Sequence, residues 1–302
     1  MKVLMTTDGS AETLAALRTA SRLLRKKDCE VTVLCVAPEF HTPKGQTNGK
    51  KHNKLREEYR RRVQHETKQV ARKAQAALRE EGIESEAMTE FGSPAEVIIR
   101  LSDGYDVVVV GATGRREHSS YGLGPVASRV VQQASGAILV VRGEFSANRL
   151  RILVGVDGSR ASQRAIASLI SNFNLDEAEI TLMHVKETPW IHVGLQREWF
   201  AYPEDAGNAD VARNWDQDLH IEANELIEEA RDQFANQPIS IVTNIGEGNP
   251  GTEMLGEADS VDYDLIVVGA TGVSDVKHNL LGSVSTKIAW YAPCSVAVVR
   301  KS

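Results

Sequence analysis

Tyr-Asp-Val-Val-Val-Val-Gly-Ala-Thr-Gly, residues 105–114, recurs nearly unchanged as Tyr-Asp-Leu-Ile-Val-Val-Gly-Ala-Thr-Gly, residues 263–272. Each copy is a short apolar run of strand type that enters Gly-x-x-Gly and meets another glycine ten residues later, Gly124 or Gly282. A strand, a glycine loop and a glycine before a helix form a place to lay a phosphate chain. Glycines let the backbone come close, and the amides of the helix start face the anion. In the second copy the last glycine precedes Ser283, a hydroxyl donor; in the first it precedes Pro125, which has neither hydroxyl nor backbone N–H. The chain thus carries two similar sites of unequal chemistry.

Working outward, a second pair of landmarks repeats. Thr-Asp-Gly-Ser at 7–10 returns as Val-Asp-Gly-Ser at 156–159. From Asp8 to Asp157 is 149 residues and from Gly111 to Gly269 is 158, so the second half holds about nine extra residues between landmarks. A period this long signals duplicated domains rather than a solenoid. A chain of 302 residues has room for about two domains of ~150 residues, each able to bury its own core. The expected division is residues 1–145 and 150–302, joined by the polar stretch 143–149.

Between the landmarks, strand-like and helix-like segments alternate. In the first half strands are expected at 3–6, 31–36, 85–90, 107–110 and 138–141. Helices are expected from Ser10 to about Arg25, from about Asn53 to Glu80, from Pro94 and after Gly124. Leu55, Tyr59, Val63, Val70, Ala74 and Leu78 fall at helical spacing along the longest of these. The second half repeats the order, with strands at 152–156, 180–185, 239–244, 265–268 and 296–299, and helices from Ser159, over 209–234, from Asn249 and from Ser283. This pattern predicts an α/β fold: two tandem doubly wound domains, each a parallel sheet covered by helices on both faces. Ligands of such sheets bind beyond the carboxyl ends of the strands, where the strand order reverses. Asp8 and Asp157 directly follow their first strands, on the same edge as the glycine loops.

No stretch approaches the roughly 20 apolar residues of a membrane helix, and the N-terminus enters a strand pattern without signal-peptide regions. Cys29, Cys35 and Cys294 are odd in number and lack metal spacing, which fits buried or incidental thiols. A cytoplasmic protein is the default expectation, with no membrane partner.

The residues together resemble a tandem universal stress protein, once per half and over nearly the whole chain. The family signature Gly-x2-Gly-x9-Gly-(Ser/Thr) is complete at Gly269, Gly272, Gly282 and Ser283, and Val-Asp-Gly-Ser at 156–159 accompanies it. The resemblance implies a Rossmann-like fold and ATP binding, with or without Mg²⁺. In ATP-binding members the glycine loop and following serine hold the phosphates, while the Asp after the first strand and a Val ending the second line the adenosine end. Carried over, these positions are Asp157, Val185, Gly269, Gly272, Gly282, Ser283, Val284 and Ser285. The first half matches at Asp8, Val36, Gly111, Gly114 and Gly124 and departs at Pro125. That departure removes two hydrogen bonds to a charged group, each worth ~1.5–3 kcal/mol, or roughly two to four powers of ten in affinity. Arg115, Arg116 and His118 in the same loop either compensate by charge or face water. Lys277 and His278 have the same two readings in the second loop. The resemblance also implies a homodimer or intramolecular pseudo-dimer through the terminal strands, 138–141 and 296–299.

No Walker-type Gly-x4-Gly-Lys-(Ser/Thr), His-Glu-x-x-His or Gly-x-Ser-x-Gly is present, so no catalytic residue is assigned. The expected function is an ATP-binding stress-response regulator, the nucleotide held by the second domain. Alternatives are a slow ATPase or phosphotransferase, and a nucleotide-independent anion-binding scaffold whose glycine loops are only turns. Charge is unevenly spread beneath the net of −6. Residues 44–79 hold twelve Lys/Arg and three Asp/Glu (net +9), and 204–232 hold two Arg and ten Asp/Glu (net −8). These spans complement each other across an interface, or the basic one meets an anionic partner, or both are solvated faces; nucleic acid is not the expected partner. Trp190, Trp199, Phe200 and Tyr202 lie in the extra residues of the second half, to cover a nucleotide, meet a partner or pack on their own domain.

Overall fold

A computed structural model describes residues 1–24, 27–39, 50–114, 122–143, 149–187, 206–272 and 281–300, with the backbone alone for 50–56 and 206–216. Arg115, Arg116, His118, Lys277, His278, Trp190, Trp199, Phe200, Tyr202 and most of the stretch 143–149 lie outside the described residues. The chain divides into two compact units, Met1–Ser146 and Ala147–Val299, apart from Asn172–Asn174, which group with the first together with Arg300–Ser302.

In the first unit the elements follow the order β1 (Lys2–Thr6), α1 (Ala11–Leu23), β2 (Glu30–Ala37), α2 (Lys50–Glu80), β3 (Ser85–Phe91), α3 (Pro94–Ser102), β4 (Val107–Gly111), α4 (Pro125–Gln133) and β5 (Ala137–Val141). All pairings are parallel and the sheet order is β3-β2-β1-β4-β5. The chain winds outward from β1 to β3, then returns to the other side of β1, so the order reverses between β1 and β4.

The second unit repeats this as β6 (Arg151–Gly155), α5 (Arg160–Asn172), β7 (Glu179–Lys186), α6 (Ala206–Asp232), β8 (Ser240–Glu247), α7 (Pro250–Ser260), β9 (Leu265–Gly269), α8 (Ser283–Tyr291) and β10 (Ser295–Val299). Its order is β8-β7-β6-β9-β10, again parallel throughout, with the reversal between β6 and β9. Each unit is a doubly wound α/β sheet, the architecture expected from the alternation.

Burial explains which runs become which strands. The β4, β5, β9 and β10 runs are apolar without alternation, as strands covered on both faces must be, and Val107–Val110 and Leu265–Val268 are all buried. β3 and β8, the outer strands of the two windings, alternate with charged and polar residues and stay largely accessible.

The Tyr-Asp pair that opens each quoted repeat has its own task at the opposite end from the glycines. Asp106 Oδ2 accepts from the Lys2 amide at 2.7 Å, and Asp264 Oδ2 accepts from the Arg151 amide at 2.8 Å. Each carboxylate fixes the register of the first strand against the fourth. Burial pushes the Asp264 carboxyl above its usual range, against the lowering effect of the Arg151 amide. Tyr263 is buried; its hydroxyl donates to Glu257 Oε1 at 2.9 Å and lies 3.0 Å from Thr181 Oγ1, whose own hydroxyl can donate to it, tying α7 to β7. Desolvation, with the Glu257 carboxylate nearby, pushes its phenol up to about 12.

Candidate functional site

In the second unit the first strand ends at Gly155 and the chain turns through Gly158, whose φ of +72° falls in the left-handed region that glycine enters without steric cost. The turn leaves Asp157 at the sheet edge. The Ser159 amide donates to its Oδ1 at 3.0 Å, and the Ser162 amide donates to Ser159 Oγ at 3.1 Å, which starts α5. Beside this edge β9 runs into the glycine loop. Ala270 donates its amide to the Val299 carbonyl at 2.8 Å and accepts from the Gly282 amide at 2.7 Å, so the chain leaves and re-enters at one residue. Helix α8 begins immediately after Gly282, with no side chain capping it. The amides of Ser283, Val284 and Ser285 form its first turn, where helical N–H groups have no carbonyl of their own helix to meet.

These elements enclose a cavity of about 400 Å³, within the range of small-molecule sites. All eight residues expected from the sequence line it: Asp157, Val185, Gly269, Gly272, Gly282, Ser283, Val284 and Ser285. Their roles differ. A Cβ on Gly272 would lie 3.1 Å from Asp157 Oδ2, so the loop rests against the carboxylate and faces the cavity. A Cβ on Gly269 would instead stand 2.6 Å from the Ala161 carbonyl carbon, so this glycine lets α5 press onto β9. Ser285 is buried and donates its hydroxyl to the Gly269 carbonyl at 2.6 Å. That bond consumes its proton, so its hydroxyl braces the glycine strand, and its amide is what remains to donate to a ligand. Ser283, the first residue of α8, also lines the cavity, and its hydroxyl makes no such bond to Gly269.

Residues that motif reading passed over also line the site. His184 lies at the end of β7 with Nδ1 2.8 Å from the Val156 carbonyl oxygen; since a carbonyl only accepts, the proton is on Nδ1. Lys186 and Glu187 follow it at the strand exit, and Leu219, Glu222 and Leu226 come from α6. The rule that ligands sit beyond strand ends was a signal for the first three. Spacing of three and four residues places the last three on one helix face, yet nothing in the sequence says that face closes the cavity.

The first unit builds the same frame. Gly9 has φ +79°, the Ala112 amide donates to the Val141 carbonyl at 3.0 Å, and the Gly124 amide donates to Ala112 at 2.8 Å. Asp8 Oδ1 accepts from the Ser10 amide and from Thr13 Oγ1, both at 2.9 Å, and Thr13 Oγ1 lies 3.0 Å from Thr7 Oγ1. A cavity of about 540 Å³ is lined by Asp8, Val36, Gly111, Gly114 and Gly124, all five positions expected there, and by Pro125. Helix α4 starts with that proline, so its first turn offers one amide fewer than α8 and no hydroxyl at that position.

This doubled frame has relatives across its full length. The sequence model of the universal stress protein family matches residues 1–142 and again 148–300. The chain belongs to the universal stress protein family. The universal stress protein YxiE of Bacillus subtilis is 29% identical over 150 residues, which is 50% of this chain and 98% of the relative, so one half here corresponds to a whole protein there. A universal stress protein of Mycolicibacterium smegmatis is 27% identical over 307 residues, covering 99% of this chain and 96% of its own. Among solved structures, a universal stress protein from Archaeoglobus fulgidus aligns over 100% of this chain and 96% of its own, with a TM-score of 0.58 and 22% identity, a likeness of fold. Among the described residues no helix is long and apolar enough to cross a membrane, and no group of three or more His, Cys, Asp or Glu side chains is placed to hold a metal ion.

Proposed function

We propose that the second unit is an ATP site and that the protein is a nucleotide-responsive regulator of the universal stress type. The observation that carries this reading is the convergence on one cavity of Asp157, Val185 and the first turn of α8. Three consecutive N–H groups at a helix start, with the Ser283 hydroxyl, suit the terminal phosphates. Asp157 and Val185 at the strand exits suit a ribose hydroxyl and the base. Among the described residues Asp157, Glu187 and Glu222 line the cavity with one lysine, Lys186, a balance that suits a triphosphate carrying a counter-cation. Mg²⁺ would then be held chiefly by the phosphates, for want of a ready cluster of protein ligands among the described residues. Regulation follows if ATP binds one of two conformational or assembly states more tightly, since a ligand shifts an equilibrium only by its differential affinity.

The reading is tested by denaturing freshly purified protein and identifying any released nucleotide by chromatography, alongside melting with added ATP. A protein that releases none and gains no thermal stability from ATP refutes it. Gly272→Val is expected to abolish ATP binding while the fold survives, because its side chain occupies the space between the loop and Asp157. Unchanged ATP affinity would remove Gly272 from the site.

A further inference from the structure

Two helix faces of opposite sign carry their charges at the same intervals. On α2 the exposed residues Arg61, Lys68 and Arg72 follow one another at seven and then four positions, and on α6 the exposed residues Asp218, Glu225 and Glu229 do the same. Each row falls within about 40° of its helix circumference, with charges roughly 10.5 and roughly 6 Å apart along the axis. Read backwards, the exposed residues Glu229, Glu222 and Asp218 give the same intervals again, so the rows match with the helices side by side in either direction. Within each helix the rows are unfavourable. Lys68 and Arg72 are like charges at i and i+4, as are Glu225 and Glu229, and Asp218 and Glu222, an arrangement that destabilises a helix left on its own. Neighbouring charges are engaged inside the chain: Arg62 binds Glu66 at 3.1 Å, Arg231 binds Glu228 at 3.5 Å, and Arg60 lies over the Phe91 ring at 5.0 Å. Among the described residues no ion pair joins a member of either row to its own chain. The acidic face also holds Ile221, which is 51% exposed between Asp218 and Glu225.

We propose that the protein self-associates by docking α2 of one copy on α6 of a second copy, row against row. One exposed ion pair stabilises little, but several held at matched intervals on two rigid helices act together and fix orientation and register. Ile221 then supplies an apolar centre, covered by the alkyl stems of Lys68 and Arg72, which lie along apolar surface while their charged heads stay wet. A polyanion would answer the basic row alone and leave the acidic row and Ile221 without a role. A second copy answers all three, because every chain carries one face of each sign.

The test is sedimentation velocity of the full, nucleotide-free chain in about 50 mM and about 500 mM NaCl, between which the screening length falls about threefold. Association is expected at the lower salt and at least about tenfold weaker at the higher. One variant carries Arg61→Glu, Lys68→Glu and Arg72→Glu, and another Asp218→Lys, Glu225→Lys and Glu229→Lys. Each alone is expected to associate at least about tenfold more weakly than wild type at the lower salt. Their equimolar mixture is expected to associate again, because an acidic α2 now meets a basic α6 and an acidic α6 a basic α2. A control with Lys2→Glu, Lys73→Glu and Arg160→Glu makes the same change of net charge off the row and is expected to associate as wild type does. A chain that is monomeric at the lower salt overturns the proposal; its retention on immobilised polyphosphate, lost with the α2 variant, would assign the basic row to an anionic polymer instead. The proposal is equally overturned by a mixture no more associated than its components, or by a control as weak as the α2 variant. If the lysine substitutions melt the second unit, Asp218→Asn, Glu225→Gln and Glu229→Gln replace them, and association unchanged by these overturns the proposal. The measurement needs no nucleotide, so its failure and that of the ATP reading are distinguishable.

Discussion

Gly269 and Gly111 occupy the same position of the two repeats, yet replacing each by alanine is expected to have unequal consequences. A Cβ on Gly269 would sit 2.6 Å from the Ala161 carbonyl carbon and 2.8 Å from both its oxygen and its Cβ. Ordinary contact begins near 3.4 Å, so α5 must withdraw from β9 by roughly 0.8 Å in an interior packed too densely to absorb it. Overpacking of this kind costs ~1–3 kcal/mol when side chains give way. Here the obstacle is helix backbone, which places Gly269→Ala at about 3 kcal/mol or more. A Cβ on Gly111 would meet the Thr113 carbonyl oxygen at 3.2 Å and the Thr13 methyl at 3.5 Å, contacts that relax with small shifts. Relief of the ~0.5–1 kcal/mol that a strand glycine costs acts in favour of both variants, so Gly111→Ala should fall within about 1 kcal/mol of wild type. For a unit of ~150 residues each kcal/mol moves the melting temperature by ~2–4 °C. Calorimetry should therefore show a transition lowered by roughly 6–12 °C for Gly269→Ala and a near-native trace for Gly111→Ala. Equal shifts for the two variants would refute the argument that Gly269 is required by the α5–β9 approach.

Further expectations follow from other residues. Ser283→Ala should weaken ATP by roughly 10- to 150-fold, the worth of one hydrogen bond to a charged group, without lowering the melting temperature of the nucleotide-free protein; retained affinity would exclude its hydroxyl from the site. The Tyr263 phenol is raised to about 12, so the folded state favours the protonated form. Its stabilisation is complete below pH 10 and lost as pH rises from 10 through 12, a change of up to about 2–3 kcal/mol. Tyr263→Phe should be less stable at neutral pH by ~1–2 kcal/mol and decline less between pH 10 and 12, as followed by urea unfolding at each pH. If α2 and α6 pair between chains through opposite charge, reversing Arg60, Arg61 and Arg62 to Glu dissociates the oligomer at low ionic strength, where such attraction is least screened. A sedimentation profile unaltered by that reversal at low salt removes the charge-paired interface.

The fold was legible because its central strands are short, apolar and uninterrupted between strong turn residues, and the edges of the expected strands fell within a few residues of those observed. Val156 was expected inside the first strand of its half, but β6 ends at Gly155 and Val156 belongs to the turn. Its amide still bonds to the Met183 carbonyl at 2.9 Å, which is why the residue reads as strand. The positions on the glycine loops and after the first strands could be placed at one edge because that edge is set by topology. What each residue does there was less accessible. Gly269 and Gly272 look alike in the repeat, and the distances to Ala161 and Asp157 alone separate a packing glycine from one facing the cavity. Ser285 looks like a second phosphate donor until its hydroxyl is found on the Gly269 carbonyl. His184 and the α6 face were missed since their place in the cavity depends on contacts between elements distant in sequence.

Ala112 and Ala270 are each the point at which a loop is both opened and shut. Eleven residues lie between Ala112 and Gly124, and eleven between Ala270 and Gly282, yet Thr-Gly-Arg-Arg-Glu-His in one has become Thr-Gly-Val-Ser-Asp-Val in the other. Both ends of each segment are thus clipped to one position by backbone groups, whatever side chains lie between. Exchanging segments 113–123 and 271–281 should therefore leave two folded units and move with them whatever charge preference the loops confer.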